Sequence, residues 1–260
     1  MERVTPKKSL GQHFLTDHNI ARKIVGYVDT TICKNVLELG PGTGILTNYL
    51  IKKEGVNLLL VEIDTQSVNW LSEHYPDLRD KIINKDFLKQ EIHSLFGEPF
   101  ILIGNFPYNI SSQIFFRVLE NKEMVLEVVC MIQKEVAERI KAGPGSKTYG
   151  ILSVLLQTYY DIDFLFTVNE NVFDPPPRVK SAVIKLTRNG RVNLPCSEKL
   201  FLQVVKASFN QRRKMLRNSL KVISTELPDN NLLKNRPEQL SAEDFINLTS
   251  WIEKKVVKNT

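Results

Sequence analysis

Four consecutive residues, Asn105-Phe106-Pro107-Tyr108, carry groups that could do chemistry together. The apolar run before them, Pro99 to Ile103, predicts a buried strand, and open α/β sheets bind ligands outside the carboxyl ends of their strands. An amine attached to an aromatic ring attacks an electrophile poorly, because its lone pair is spread into the ring. It reacts when its protons are held as charge develops. The side-chain carbonyl of Asn105 can accept one proton and the main-chain carbonyl of Phe106 another, with Pro107 stiffening the turn that aims it. Tyr108 offers a flat face on which a base could stack. The same four residues also read as a plain strand end and turn. The rest of the chain has to decide between the two.

The elements that would position such a site follow one another as strand, turn and helix. Asn35 to Leu39 predicts a strand, Gly40-Pro41-Gly42-Thr43-Gly44 a glycine turn, and Ile45 to Ile51 a helix. Glycines let backbone approach a ligand, and a helix N-terminus offers free N–H groups. The spacing is G-x-G-x-G and not the G-x-G-x-x-G of dinucleotide enzymes, which weakens the reading as a nicotinamide-dependent oxidoreductase. A second strand, Asn57 to Val61, ends in Glu62-Ile63-Asp64. Glu62 lies 22 residues past Gly40 (62 − 40), the distance at which an acidic residue reaches a ribose hydroxyl pair. Asp64 suits the opening of a helix better. A third strand, Lys81 to Asn84, leads to Asp86-Phe87, where Asp86 could accept an exocyclic amine or could cap a turn.

After the tetrapeptide come a helix over Ile110 to Leu119, a strand over Val125 to Ile132, and a helix over Glu135 to Lys141. A glycine-containing loop, Ala142 to Gly150, and a helix, Ile151 to Tyr160, follow. Strands over Asp163 to Val168 and Ser181 to Leu186 flank Pro175-Pro176-Pro177, a run that cannot sit inside a central strand. A composition break falls at Thr187 to Pro195. Beyond it helices are predicted at Ser197 to Phe209, Gln211 to Ile223 and Ser241 to Val256, the last with a capping box from Ser241 and Asp244 and an apolar stripe of Phe245, Leu248, Ile252 and Val256. At the other end Asp17 is a plausible N-cap for an amphipathic helix reaching Val28. The loop before it, Lys7 to Leu15, could cover a ligand.

The chain of 260 residues is 42% hydrophobic and 25% charged, ordinary values for a soluble globular protein. No apolar run approaches the ~18 residues of a membrane span, and no secretory signal is expected at the N-terminus. Cys33, Cys130 and Cys196 are few, odd in number and far apart, which fits a reducing cytosol. The four histidines have no metal-ligand spacing. The net charge of +6 is modest, but Lys206, Arg212, Arg213, Lys214, Arg217 and Lys221 fall in one stretch without an acidic residue. That is the footprint of a nucleic-acid surface, or of a solvated helix face.

Strands alternating with helices imply a parallel sheet. Seven motifs then occur in order: Gly11-Gln12-His13-Phe14-Leu15, Glu38 to Gly44, Val61 to Asp64, Asn105 to Ser111, Gln133-Lys134-Glu135-Val136, Phe173-x-Pro175-Pro176-Pro177-x-Val179, and Phe209 to Lys214. Together they resemble the small-subunit (16S) ribosomal RNA adenine N6,N6-dimethyltransferases, over a match from about Lys7 to the C-terminus. The resemblance implies an α/β fold: a Rossmann-like class I methyltransferase with a seven-stranded, mostly parallel sheet whose last inserted strand is antiparallel. It implies a catalytic domain over 1–190 and a small helical rRNA-binding domain over 191–260. It implies S-adenosylmethionine as cofactor, with contacts from His13, Leu15, Gly40, Gly42, Glu62, Asp86 and Asn105. Glu62 would hold the ribose hydroxyls and Asp86 the adenine amine. Asn105, Phe106, Pro107 and Tyr108 become the catalytic residues, and Arg212, Arg213, Lys214 and Arg217 the RNA contacts.

The implied partners are small-subunit rRNA and the pre-small ribosomal subunit, met by a monomer in the cytoplasm, with no membrane. No metal is required, since a methyl group on a sulfonium is already activated. Two residues depart from the family pattern. His13 stands where Asn is frequent, and Phe106 where Leu is usual. Two other readings stay open: a large-subunit rRNA adenine methyltransferase, and a ribosome-assembly factor whose main task is binding.

Overall fold

The structure, a computed structural model, describes residues 4–224, 227 and 229–258, with side chains as far as Lys255. The chain divides into two compact units, Met1–Ala137 with Ile162–Arg188, and Glu138–Asp161 with Asn189–Thr260.

In the first unit a two-residue strand, β1 (Phe14–Leu15), precedes helix α1 (His18–Gly26), which Asp17 caps by accepting the N–H groups of Asn19 and Ile20. Strand β2 (Asn35–Leu39) leads through the glycine turn to α2, regular only over Thr47–Leu50. Strand β3 (Asn57–Glu62), α3 (Thr65–His74), β4 (Ile82–Asn84), α4 (His93–Phe96), β5 (Phe100–Asn105), α5 (Ser111–Glu120), β6 (Val125–Gln133) and α6 (Lys134–Lys141) continue the alternation, the second half of α6 belonging to the second unit. The sheet is completed by β7 (Tyr160–Val168) and β9 (Ser181–Arg188), while β8 (Phe173–Asp174) pairs antiparallel with β1.

The seven-stranded order is β4-β3-β2-β5-β6-β9-β7. Pairs β4–β3, β3–β2, β2–β5 and β5–β6 are parallel, and β9 runs antiparallel to β6. The central strands read as continuous apolar runs because both faces are covered. In β5, Phe100 to Ile103 are all fully buried. The strand order reverses between β2 and β5, which places the loops after Leu39 and after Asn105 side by side at the carboxyl ends, at the topological switch point.

The second unit holds α7 (Ile151–Tyr159), α8 (Glu198–Asn210), α9 (Leu216–Ser219) and α10 (Ala242–Lys258). Here the division differs from a single cut at residue 190. Residues 138–161 group with the C-terminal helices because α7 packs against α8 and α10, and the Asn189 N–H donates to the Tyr159 carbonyl at 3.0 Å. The helix predicted from Gln211 to Ile223 is not continuous. Met215 is extended (φ −64, ψ 148), and the Leu216 N–H leaves the helical ladder for the Asn235 carbonyl at 2.9 Å. The capping box on α10 forms, Ser241 and Asp244 each accepting the other's N–H at 3.1 and 2.9 Å. Phe245, Leu248 and Ile252 of its stripe are buried, and the Val256 side chain lies outside the described residues.

Candidate active site

The glycine turn is built around two buried carboxylates. Gly40, Gly42 and Gly44 have φ of 65°, 56° and 77°, where other residues are strained. The Gly40 N–H donates to the Val61 carbonyl at 2.9 Å, which ties the turn to β3. Glu62, at the end of β3, accepts the N–H of Gly42 on Oε2 (3.0 Å) and the N–H of Asp64 on Oε1 (2.9 Å). Behind the turn, Glu38 accepts the Thr47 hydroxyl at 2.7 Å. Burial pushes both carboxyls up, Glu38 to about 8.

This has a consequence for stability. The folded chain keeps the Glu38 proton up to about pH 8, whereas an unfolded chain releases it near 4.5. Unfolding free energy should therefore fall as pH rises from about 4.5 to about 8. Glu38→Gln should flatten that slope in urea melts taken across this range. An unchanged slope would show that Glu38 ionises in the fold as it does in water.

Asp64 links the turn to the N-terminal segment. Its side chain caps α3 by accepting the Gln66 N–H at 3.2 Å, pairs with the Lys7 ammonium, and lies 3.4 Å from the Gln12 amide nitrogen. Burial pushes its carboxyl up, but these bonds outweigh that and hold it below the usual range. The Lys7 N–H in turn donates to the Gln12 side chain at 2.8 Å. Residues Leu10 to Phe14 are thereby laid along the cleft, and β1 is fixed by pairing with β8.

Asn105 lines the same cleft. Its Nδ2 donates to the His13 carbonyl at 2.8 Å, so the amide is turned with Oδ1 as its remaining acceptor. The His13 ring Nδ1 lies 2.7 Å from the Pro175 carbonyl, and the ring stacks with Tyr108 at 5.4 Å between centroids. The Tyr108 hydroxyl bonds to the Ser181 hydroxyl at the start of β9. Phe106 divides its roles. Its ring is buried edge-on against Phe115, centroids 6.0 Å apart, and its N–H donates to the Met131 carbonyl at 3.0 Å. The aromatic side chain at this position thus fills the interior.

His13, Gly40, Gly42, Glu62, Asp86, Asn105, Phe106, Pro107 and Tyr108 line one cleft of about 720 Å³, a figure that includes space open at the mouth. Asp86 also caps a short 3₁₀ turn by accepting the Leu88 N–H at 3.0 Å, so the capping reading of it holds. Leu15 is the exception. Its side chain is buried in the core and does not line the cleft. Arg212, Arg213, Lys214 and Arg217 belong to the second unit and are not among the lining residues. Sequence reasoning missed Gly104, the residue before Asn105. A Cβ there would lie 2.4 Å from the Leu39 carbonyl oxygen. Among the described residues no cluster of His, Cys, Asp or Glu could hold a metal ion, and no helix is long and apolar enough to cross a membrane.

A seven-stranded sheet with a glycine turn after β2, an acid at the end of β3 and the site at the switch point defines the class I methyltransferase fold. The fold is shared with a dimethyladenosine transferase from Plasmodium falciparum (23% identity, TM-score 0.74, covering 91% of this chain and 96% of that one). It is also shared with the 23S rRNA methyltransferase ErmE (24% identity, TM-score 0.67, covering 91% and 99%). The family model described as ribosomal RNA adenine dimethylase matches residues 3–254. A protein named ribosomal RNA small subunit methyltransferase A from Bacteroides thetaiotaomicron is 58% identical over 257 residues, covering 97% of this chain and 96% of its own length. One of the same name from Flavobacterium johnsoniae is 56% identical over 256 residues, covering 97% and 98%. The chain belongs to the ribosomal RNA adenine dimethylase family, and with it to the methyltransferases.

Proposed function

We propose that this protein dimethylates N6 of two adjacent adenines in the hairpin loop near the 3′ end of small-subunit rRNA, in the cytoplasm and during small-subunit biogenesis, with S-adenosylmethionine as methyl donor. The observation that carries this reading is the Asn105 amide, held by the His13 carbonyl in a cleft that Glu62 and Asp86 also line. Full-length similarity to proteins named for the small subunit supports it over the large-subunit alternative.

The cleft fits the cofactor. Space beside Gly40 is open, with no atom within 4 Å of where a Cβ would stand, so a ligand can approach the main chain there. Ile63 lines the cleft and is 48% exposed, an apolar surface on which a purine can rest. Glu62 would take the ribose hydroxyls, Asp86 the adenine amine, and His13, Gly40, Gly42 and Asn105 further contacts. Bound there, the cofactor supplies a methyl group already activated by its sulfonium.

What remains for the chain is positioning. The target adenine has to leave its stack to enter the cleft, and Tyr108 gives it a face to stack on, worth about 1–3 kcal/mol by the usual alanine comparison. Asn105 Oδ1 and the Phe106 carbonyl accept the N6 protons, which returns lone-pair density to the nitrogen. The deciding experiment is transfer of labelled methyl groups into purified small and large subunits, each offered separately, followed by mass analysis of the nucleosides. N6,N6-dimethyladenosine at two adjacent positions is expected. Label found only in large subunits, or only as a monomethylated base, would overturn the assignment.

A further inference from the structure

The cations of the second unit are not alike. Arg213, Lys214 and Arg217 are exposed, but Arg212 is half-buried, and its guanidinium donates to the Ser146 carbonyl at 3.1 Å. That bond reaches 66 residues back, into the loop between α6 and α7. The loop is anchored again at Gly145, whose N–H donates to the Glu238 carbonyl at 2.6 Å. The Ser146 hydroxyl accepts the Thr148 N–H at 3.2 Å, and Tyr149 is fully buried at the loop's end. In this loop Gly143, Pro144, Gly145 and Lys147 are exposed. Nothing lies within 4 Å of a Cβ built at Gly143 or Gly145, so another molecule's backbone could come close to the main chain. Glu238 meets the loop through its main chain, and one oxygen of its carboxylate is buried.

We infer that this loop is the second half of a surface for the RNA sugar-phosphate backbone. Lys147 is its phosphate contact, and Arg212 is the positioning residue that holds the loop beside Arg213 and Lys214. The inference rests on reading the second unit as the RNA-binding part, and it changes the role given to Arg212. An arginine whose fork is engaged by a carbonyl has less to offer a phosphate than its exposed neighbours. Lys147, one residue past the carbonyl that Arg212 holds, adds a cation that the run from Lys206 to Lys221 does not contain. Contacts of this kind fix orientation without reading sequence.

The test is the salt dependence of binding of a labelled RNA hairpin by the full chain. Removing one phosphate-binding cation should reduce the slope of log K against log salt by about 0.7–0.9. Lys147→Gln and Arg213→Gln should each show that reduction. Arg212→Gln should show it too, and should speed hydrogen exchange at the Gly145 amide. The double variant Arg212→Gln/Lys147→Gln should show no smaller slope than Lys147→Gln alone, because the first residue acts through the second. Binding of S-adenosylhomocysteine should be unchanged in all of them. An unchanged slope in Lys147→Gln beside a reduced one in Arg213→Gln would overturn the inference and leave the RNA-binding reading standing. Twice the reduction in the double variant would make Arg212 a phosphate ligand in its own right and overturn its positioning role. No change in any variant would remove the RNA-binding reading itself.

Discussion

Asn105→Ala should lower single-turnover methyl transfer by about 10²–10³, the usual effect of removing one preorganised hydrogen-bonding group from a reacting centre. The structure adds a second loss. The Asn105 amide nitrogen holds the His13 carbonyl, and His13 stacks with Tyr108. Removing the amide leaves that carbonyl short of a partner, a cost of about 1–3 kcal/mol where it is shielded from water. The His13–Tyr108 face is then free to shift. Asn105→Asp sharpens the point. It keeps an acceptor for the N6 protons but puts a carboxylate oxygen where the His13 carbonyl expects a donor. The aspartate variant should therefore fall nearly as far as the alanine one. Both are measured with purified small subunits at saturating cofactor, so that weaker cofactor binding does not pass for slower chemistry. An aspartate variant close to wild type would show that only the acceptor matters and that the His13 link is incidental. An alanine variant within tenfold of wild type would remove Asn105 from the chemistry.

The sheet was legible because its signal is local. Asn35 to Leu39 has the bounds that apolar pattern and the following glycine predict, and Asp17 and Asp64 cap the helices they precede. The bonds that make a site of these elements are not local. Asn105 reaches His13 across 92 positions, and Tyr108 reaches Ser181 across 73. Nothing in the composition of either segment announces the other. The same holds for Arg212, which reads as one more cation in a basic run until its partner 66 residues away is seen. The break at Met215 was hidden for a different reason. Gln211 to Ile223 contains no proline or glycine, and the helix is interrupted by a tertiary bond from Leu216 to Asn235. Leu15 shows the converse limit. A residue can belong to a recognisable motif while its side chain serves the core.

Gly104 is where fold and site meet most tightly. Gly104→Ala should lower the thermal midpoint by roughly 6–12 °C, which is what a loss of ~3 kcal/mol produces in a chain of this size. The reason is steric and not conformational, since its φ is not positive. The added methyl would stand 2.4 Å from the Leu39 carbonyl oxygen and 3.2 Å from the Phe106 ring. The oxygen belongs to the main chain of the neighbouring strand, and the ring is packed against Phe115, so neither yields cheaply. Whichever strand moves, the site feels it, because Leu39 is followed at once by Gly40 and Gly104 by Asn105. Cofactor affinity should thus fall along with stability. Gly40→Ala is the informative contrast. Its Cβ meets nothing, so it carries only the cost of a φ of 65°, about 1–2 kcal/mol, while its methyl points into the space a ligand would use. Thermal melts paired with calorimetry on S-adenosylhomocysteine separate the two: Gly104→Ala should lose both properties, Gly40→Ala mainly the affinity. If Gly104→Ala melted with wild type, β2 and β5 would have room between them, and the close approach of the two site loops would need another cause.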